Sequence, residues 1–443
     1  MPLELHTDCK TRLVEALAEA IPLFEVRHGM FLERFPTWML LDRVENVLPK
    51  KGKLHEQLVS SIDERPFTEF VIHTLTRELA AEKFVSEGPN VKLTTLERFN
   101  DPQALARRLV SEFESLPHAY TLSLRLPARL EKIIGVGRSE VKLAPNIRIV
   151  RATTAFAHEF SLETPTPQIR ERLVPRPALS LFFPDEQAKW DENALYLQIA
   201  VHGFIGTYGG SNTDQDVQRT IRSVFGLGLA LQLFQTQFEY GVTESSASLV
   251  VHRERSDGSW EVQGKLELSD SLAATLDTLR LGDAHGWVNS QERQDAWSER
   301  CFEEMRSVFR QKEKAESLLL ASQWYFDGSH GADELLRYVQ SMVVIEIVLG
   351  DKATSDQMGL NELLRNRCAY LIGNSQEQRA EVLDTFRRIY DVRSQIVHRG
   401  KHRLSSEERG LLHRLRWMCL RVIQREVDLL SANKKTDAPL ADS

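Results

Sequence analysis

The sequence predicts an α+β chain of more than one domain, and three changes of hydrophobic period along it carry that prediction. The first 117 residues repeat apolar positions at helical spacing, a middle stretch to about residue 290 contains alternating runs, and the remainder returns to helical spacing. At 443 residues the chain is also longer than one ordinary domain.

In the first region, helical spacing with polar outer faces predicts helices over Thr11–Ile21, Leu54–Ile62, Phe67–Glu82 and Pro102–Phe113. The middle region, 118–290, alternates at Tyr120–Leu124, Ile147–Thr153, Leu195–Val201, Ala247–His252 and Trp260–Leu268, which predicts a mostly antiparallel sheet. Ser256-Asp257-Gly258-Ser259 marks a hairpin turn between the last two. A glycine-rich stretch, Gly206 to Asp214, precedes a helical run from Val217 to Phe234. Its free N–H groups could hold an anion, although it matches neither the dinucleotide nor the P-loop spacing, and an ordinary Thr or Asp helix cap explains it better.

After a polar, glycine-containing linker at Asp283–Gln291, helices are expected at Arg293–Phe326, Ala332–Leu349, Gly359–Ile372, Gln376–Arg399 and Ser405–Leu430. Short connections between them imply antiparallel neighbours in a bundle over 291–430, followed by a small polar tail, 431–443, expected to be disordered.

Composition narrows the function classes. A hydrophobic content of 42% is that of a globular protein, and a formal net charge of −7 argues against a chain coated in nucleic acid through general electrostatics. Four scattered cysteines without a C-x-x-C pair indicate neither a zinc knuckle nor a disulfide framework, so a reducing cytoplasm is expected. The first residues lack a signal pattern and no run approaches membrane-spanning length, so no membrane partner is expected. No metal or cofactor is implied.

One segment reads as chemistry. Tyr390-Asp391-Val392-Arg393-Ser394-Gln395-Ile396-Val397-His398 ends a long helix just before Gly400, and it pairs a phosphate-stabilising arginine with a histidine that titrates near neutrality. About one such Arg-x4-His pair is expected by chance, and Arg280 with His285 is a second instance, in a loop-like context. What separates the two is the apolar stripe Val382, Phe386, Ile389 and Ile396, on which Arg393 falls and where a charge demands a partner or a cleft. A stripe arginine paired with a neighbouring carboxylate, and a last-turn histidine complementing the helix dipole, are the structural alternative. Basic residues crowd the same region from Arg387 to Arg425; Arg399, Lys401 and Arg403, next to His398, are candidates for RNA binding.

Four segments in order carry a family resemblance: Ser322–Phe326, Tyr338–Glu346, Leu363–Ala369 and Ile389–His398. The C-terminal third resembles the HEPN superfamily, and within it the Apea-like HEPN domains of prokaryotic defence proteins. The resemblance implies a metal-independent endoribonuclease of the anti-phage, abortive-infection type, whose site forms where two bundles pair. Arg393 and His398 match the catalytic positions. Ser394, Glu346 and Tyr390 are supporting, with Glu346 expected to orient Arg393 through a bidentate pair. The implied partners are RNA, with tRNA among the candidates, and a second copy of the chain in a homodimer or higher homo-oligomer. By analogy the front part is a sensor that restrains the nuclease until a phage-derived trigger arrives. The alternative is a non-catalytic HEPN module for RNA binding or dimerisation, with function carried by the N-terminal region.

Overall fold

The structure, a computed structural model, describes residues 3–27, 31–80, 90–135, 137–163, 189–206, 209–237, 247–283, 290–331, 333–351 and 359–436. In chain order these form α1 (Thr7–Ala20), β1 (Glu25–Arg27), β2 (Phe31–Leu32), α2 (Arg34–Glu45), α3 (Lys53–Ser61), α4 (Pro66–Ala80), β3 (Val91–Lys92) and α5 (Pro102–Glu114). Next come β4 (His118–Arg125), β5 (Glu140–Ala144), β6 (Ile147–Arg151), α6 (Thr154–Glu159), β7 (Leu195–Gly203) and α7 (Asn212–Ala230). Then follow β8 (Phe234–Thr236), β9 (Ser248–Glu254), β10 (Trp260–Glu267), α8 (Asp270–Asp277) and β11 (Leu279–Leu281). The C-terminal helices are α9 (Gln291–Arg310), α10 (Glu316–Asp327), α11 (Glu334–Leu349), α12 (Leu360–Ile372), α13 (Gln376–Arg399) and α14 (Ser406–Thr436). The chain is α+β, as its hydrophobic periods indicate. Among the described residues no helix is long and apolar enough to cross a membrane.

Two compact units interleave in sequence. The first comprises Met1–Arg125, Ala152–Gln218 and Ser248–Glu267; the second comprises Leu126–Arg151, Arg219–Ala247 and Leu268–Ser443.

In the first unit, Leu13, Leu17, Phe24, Phe67, Phe70, Phe99 and Phe113 form a buried core under α1, α4 and α5, with the Phe67 and Phe113 rings edge-on at 5.0 Å. Strands β10, β9, β4 and β7 follow one another in an antiparallel array. The expected turn joins β9 to β10: Gly258 takes φ +79°, and Asp257 Oδ1 accepts from the Ser259 N–H at 2.9 Å. The glycine-rich stretch ends in a capping box. Ser211 N–H donates to Asp214 Oδ2 at 2.9 Å, and Asp214 N–H donates to Ser211 Oγ at 3.1 Å. The first turn of α7 is therefore closed by its own carboxylate, where a bound anion would otherwise sit; Thr207 and Tyr208 lie outside the described residues.

In the second unit, α7 ends at Ala230, four residues before the expected Phe234. Gln232 takes φ +62° and Leu233 N–H returns to Gly228 O at 2.8 Å. The reversal lays the Phe234 ring on Gly228, where a Cβ would fall 2.3 Å from Cδ2. Gly226 is equally constrained, since a Cβ there would lie 1.9 Å from Ser322 O of α10. The single helix expected over Arg293–Phe326 is broken at 311–315, where Gln311 Nε2 donates to Ser307 O at 3.4 Å and to Leu430 O at 3.3 Å. Tertiary contacts there override a sequence with good helix propensity. Helix α14 runs to Thr436, past the expected end at Leu430; residues 437–443, and His285 with most of the expected linker, lie outside the described residues. Helix α11 packs on α10, α12, α13 and α14, and α13 packs on α12 and α14.

Asp214 offers a pH test of the first unit. Burial pushes its carboxyl up to about 6 from 3.8, against the lowering effects of Ser211 and His73. A raised carboxyl favours folding below its unfolded value and loses that contribution as pH rises through the folded one. Asp214→Asn keeps an acceptor oxygen for the cap, so its melting temperature should gain on wild type as pH rises from 3.8 to about 6. Parallel wild-type and variant curves over that range would contradict the assignment.

Candidate functional site

Helix α13 is delimited by local chemistry at both ends. Ser375 Oγ accepts from the Gln378 N–H at 3.2 Å, and Gly400, at φ +65°, turns its N–H back to Gln395 O. Val382, Phe386, Ile389 and Val392 form the buried stripe, and Tyr338 of α11 donates its hydroxyl to Ile389 O at 3.1 Å. Ile396, the expected last member, is only half-buried. The stripe thus fades over the final turns, where Arg393 emerges.

The Arg393 side chain is 22% exposed and reaches three groups. Its Nη2 lies 3.3 Å from Glu346 Oε1 on α11, its Nη1 lies 3.5 Å from His398 Nε2, and its Cζ stands 5.9 Å from the centre of the Tyr390 ring. The expected bidentate pair does not form. Among the described residues Glu346 Oε1 accepts no hydrogen bond although it is within ion-pair distance of Arg393, so the geometry supports charge balance rather than a rigid two-pronged lock. Because arginine only donates, its contact with His398 needs a lone pair on Nε2 and the proton on Nδ1. Ser394 is half-buried and has no side-chain partner among the described residues; His398 is exposed.

The surrounding basic charge is narrower than the composition of 387–425 suggests. Arg387 pairs with Asp384 at 2.7 Å, Arg409 with Glu334 at 2.9 Å, Arg414 with Glu381 at 2.7 Å and Arg425 with Asp428 at 3.5 Å, while Arg388 meets Glu407. Lys401 is engaged as well: its Nζ lies 2.8 Å from Glu408 Oε1 and donates to Gln395 Oε1 at 3.2 Å. It therefore closes the α13–α14 turn rather than standing free for RNA. Arg399 and Arg403 are exposed and have no carboxylate partner among the described residues. Arg416 and Arg421, half-buried, donate to the neutral oxygens Gly328 O and Gln424 Oε1, so among the described residues of 387–425 the exposed cations without a carboxylate partner are Arg399 and Arg403.

Beside Glu346, α11 presents an apolar face that motif reading missed. Leu336 is 53% exposed, and Val339, Val343 and Ile347 are half-buried at helical spacing from it. Val397 of α13 is 46% exposed. The signal was present in the run Met342–Leu349, which is apolar around most of the helix where a one-sided surface helix would alternate. Among the described residues no three or more His, Cys, Asp or Glu side chains converge as a metal donor set. No family model, curated protein or solved structure matches the chain.

The contacts of Arg393 separate a structural role from a chemical one. The two side chains are 22% and 23% exposed and no hydrogen bond forms between them, which holds the fold less than a fully paired buried bridge, so Arg393→Ala should change unfolding free energy by about 1 kcal/mol or less in urea denaturation. A loss of about 3 kcal/mol or more would make Arg393 a structural pair.

Proposed function

We propose that this chain is a metal-independent endoribonuclease of the HEPN type, acting as an anti-phage, abortive-infection effector, with Arg393 and His398 as its catalytic half-site. The observation that carries the reading is the contact of Arg393 with both Glu346 and His398, beside two unpaired arginines and at the edge of an apolar face.

The chemistry follows from the two groups. His398 Nε2 takes the proton of an RNA 2′-hydroxyl, and the 2′-oxygen attacks the adjacent phosphorus. Arg393 swings from Glu346 to the phosphate and stabilises the charge that builds on its oxygens. The P–O5′ bond breaks, leaving a 2′,3′-cyclic phosphate and a 5′-oxygen that must gain a proton. One histidine cannot hold both roles in one step, so the same histidine of a second copy, protonated, supplies it. Arg399 and Arg403 contribute phosphate contacts at the edge of the site. DNA, lacking the 2′-hydroxyl, is not cut.

Purified wild type should cleave RNA, tRNA included, with EDTA present, and His398→Ala and Arg393→Ala should each lower the rate by about a hundredfold or more. The new 3′ ends should be cyclic phosphates by mass. Cleavage abolished by chelator, or unchanged in both variants, would sink the proposal.

The second copy is assigned to the apolar face of α11, because leaving Leu336, Val343 and Val397 in water is unfavourable and the site is incomplete without it. Leu336→Glu, at an already exposed position, should shift sedimentation from dimer to monomer and reduce cleavage by about tenfold or more. A fully active monomer would contradict this arrangement. The ion pair of Arg393 with Glu346 favours one alternative, a bundle that dimerises or binds RNA without cutting it; equal inactivity of wild type and His398→Ala would select it. On the nuclease reading, the remainder of the chain restrains the site until a phage-derived trigger is present.

A further inference from the structure

The first unit holds a second group of polar side chains that RNA cleavage does not use. Tyr120 of β4 stands opposite Arg253 of β9 in the strand register, so the two project from one face of the sheet. His118, two residues earlier on β4, shares that face, with its ring 6.2 Å from that of Tyr120. Helix α4 brings Arg77 to the same place. Its Nη1 donates to Gln263 Oε1 of β10 at 3.2 Å and its Nη2 to Ile205 O at 3.0 Å.

The floor of this group is unsatisfied. Tyr120 and His118 are 1% and 8% exposed, yet Tyr120 Oη and His118 Nε2 have no hydrogen-bond partner among the described residues. The Ile205 N–H lies close enough to the phenol oxygen to favour its ionised form but closes no hydrogen bond to it. Burying such groups unpaired costs about 1–3 kcal/mol each, a cost that a ligand supplying the missing partners would offset. The rim, formed by Arg77, Glu112, Arg253 and Gln263, is half-buried and closes over the floor, so a ligand reaches Tyr120 Oη and His118 Nε2 only as rim side chains such as Arg77, held by two neutral oxygens, move aside.

Charge decides what would fill it. Arg253 is balanced by Glu112 at 3.3 Å, whereas Arg77 contacts only neutral oxygens among the described residues. Burial and these two guanidiniums push His118 down to about 3, so it is neutral and adds no charge. The group therefore has one uncompensated positive charge beside a hydroxyl, an imidazole nitrogen and a backbone N–H that approach from different elements. Donors converging from several directions suit a tetrahedral oxyanion better than a planar carboxylate.

We propose that this face binds a phosphate group, free or carried on a nucleotide, through Arg77 and the Tyr120 hydroxyl. The site is independent of the ribonuclease reading and gives the first unit a ligand of its own. The test is calorimetric titration of the full chain with inorganic phosphate and with AMP at fixed ionic strength, for wild type, Arg77→Gln and Tyr120→Phe. Wild type should bind saturably, Arg77→Gln should lose about tenfold or more in affinity, and Tyr120→Phe about three- to tenfold. Tighter binding of AMP assigns a nucleotide, and equal binding a free phosphate. Tyr120→Phe removes only an unpaired hydroxyl, so without ligand it should melt no lower than wild type and remains informative if Arg77→Gln misfolds. Absence of saturable binding to wild type, or the same affinity in Tyr120→Phe as in wild type, overturns the proposal.

Discussion

A guanidinium at the end of an apolar stripe must be balanced by an anion or left facing water, and the C-terminal helices are arranged around that constraint at Arg393. The stripe on α13 holds the helix against α11 through Phe386, Ile389 and the Tyr338–Ile389 hydrogen bond. One turn later the same face carries charge. Glu346 supplies the anion from α11, but at 3.3 Å and without a hydrogen bond, so Arg393 is balanced without being locked. A pair built for stability alone would use the guanidinium fork fully and bury it. The geometry leaves the arginine free to exchange one anion for another, which the proposed phosphate chemistry would use.

Much of this was legible from residue order, for identifiable reasons. Helix α13 has the bounds its sequence implies because Ser375 and Gly400 act through local backbone geometry, which depends on few neighbours. The β9–β10 turn at Asp257-Gly258 is legible for the same reason. The break at 311–315 and the reversal at Gln232 were not, because both are set by distant partners, Leu430 O and the packing of Phe234 on Gly228. Helix α2 is not legible from the sequence because Pro36, which its first turn accommodates, reads as a breaker, and Phe35 and Met39 face outward, 74% and 54% exposed, which blurs the apolar period.

The charges of the site show the same division. The density of arginines near His398 is a property of sequence, yet which of them are free depends on cross-helix pairs such as Arg414 with Glu381 and Lys401 with Glu408. No spacing rule anticipates those pairs, since they join different elements. With Arg416 and Arg421 held by neutral oxygens, they leave Arg399 and Arg403 as the exposed cations of the segment without a carboxylate among the described residues, near His398, which contacts Arg393. In the first unit the buried polar groups around Tyr120 were likewise hidden, because β4 reads as an ordinary alternating strand until its register with Arg253 is known.

The central claim is that Arg393 leaves Glu346 for a phosphate flanked by two copies of His398. A crystal structure of the chain with a short RNA carrying a single 2′-deoxy nucleotide at the cleavage position tests it most directly, since that RNA binds but cannot react. The account predicts the scissile phosphate within hydrogen-bond distance of Arg393, with a histidine from each copy on opposite sides of it. A phosphate bound elsewhere, or an Arg393 still paired with Glu346 in a bundle without a second copy, would contradict it.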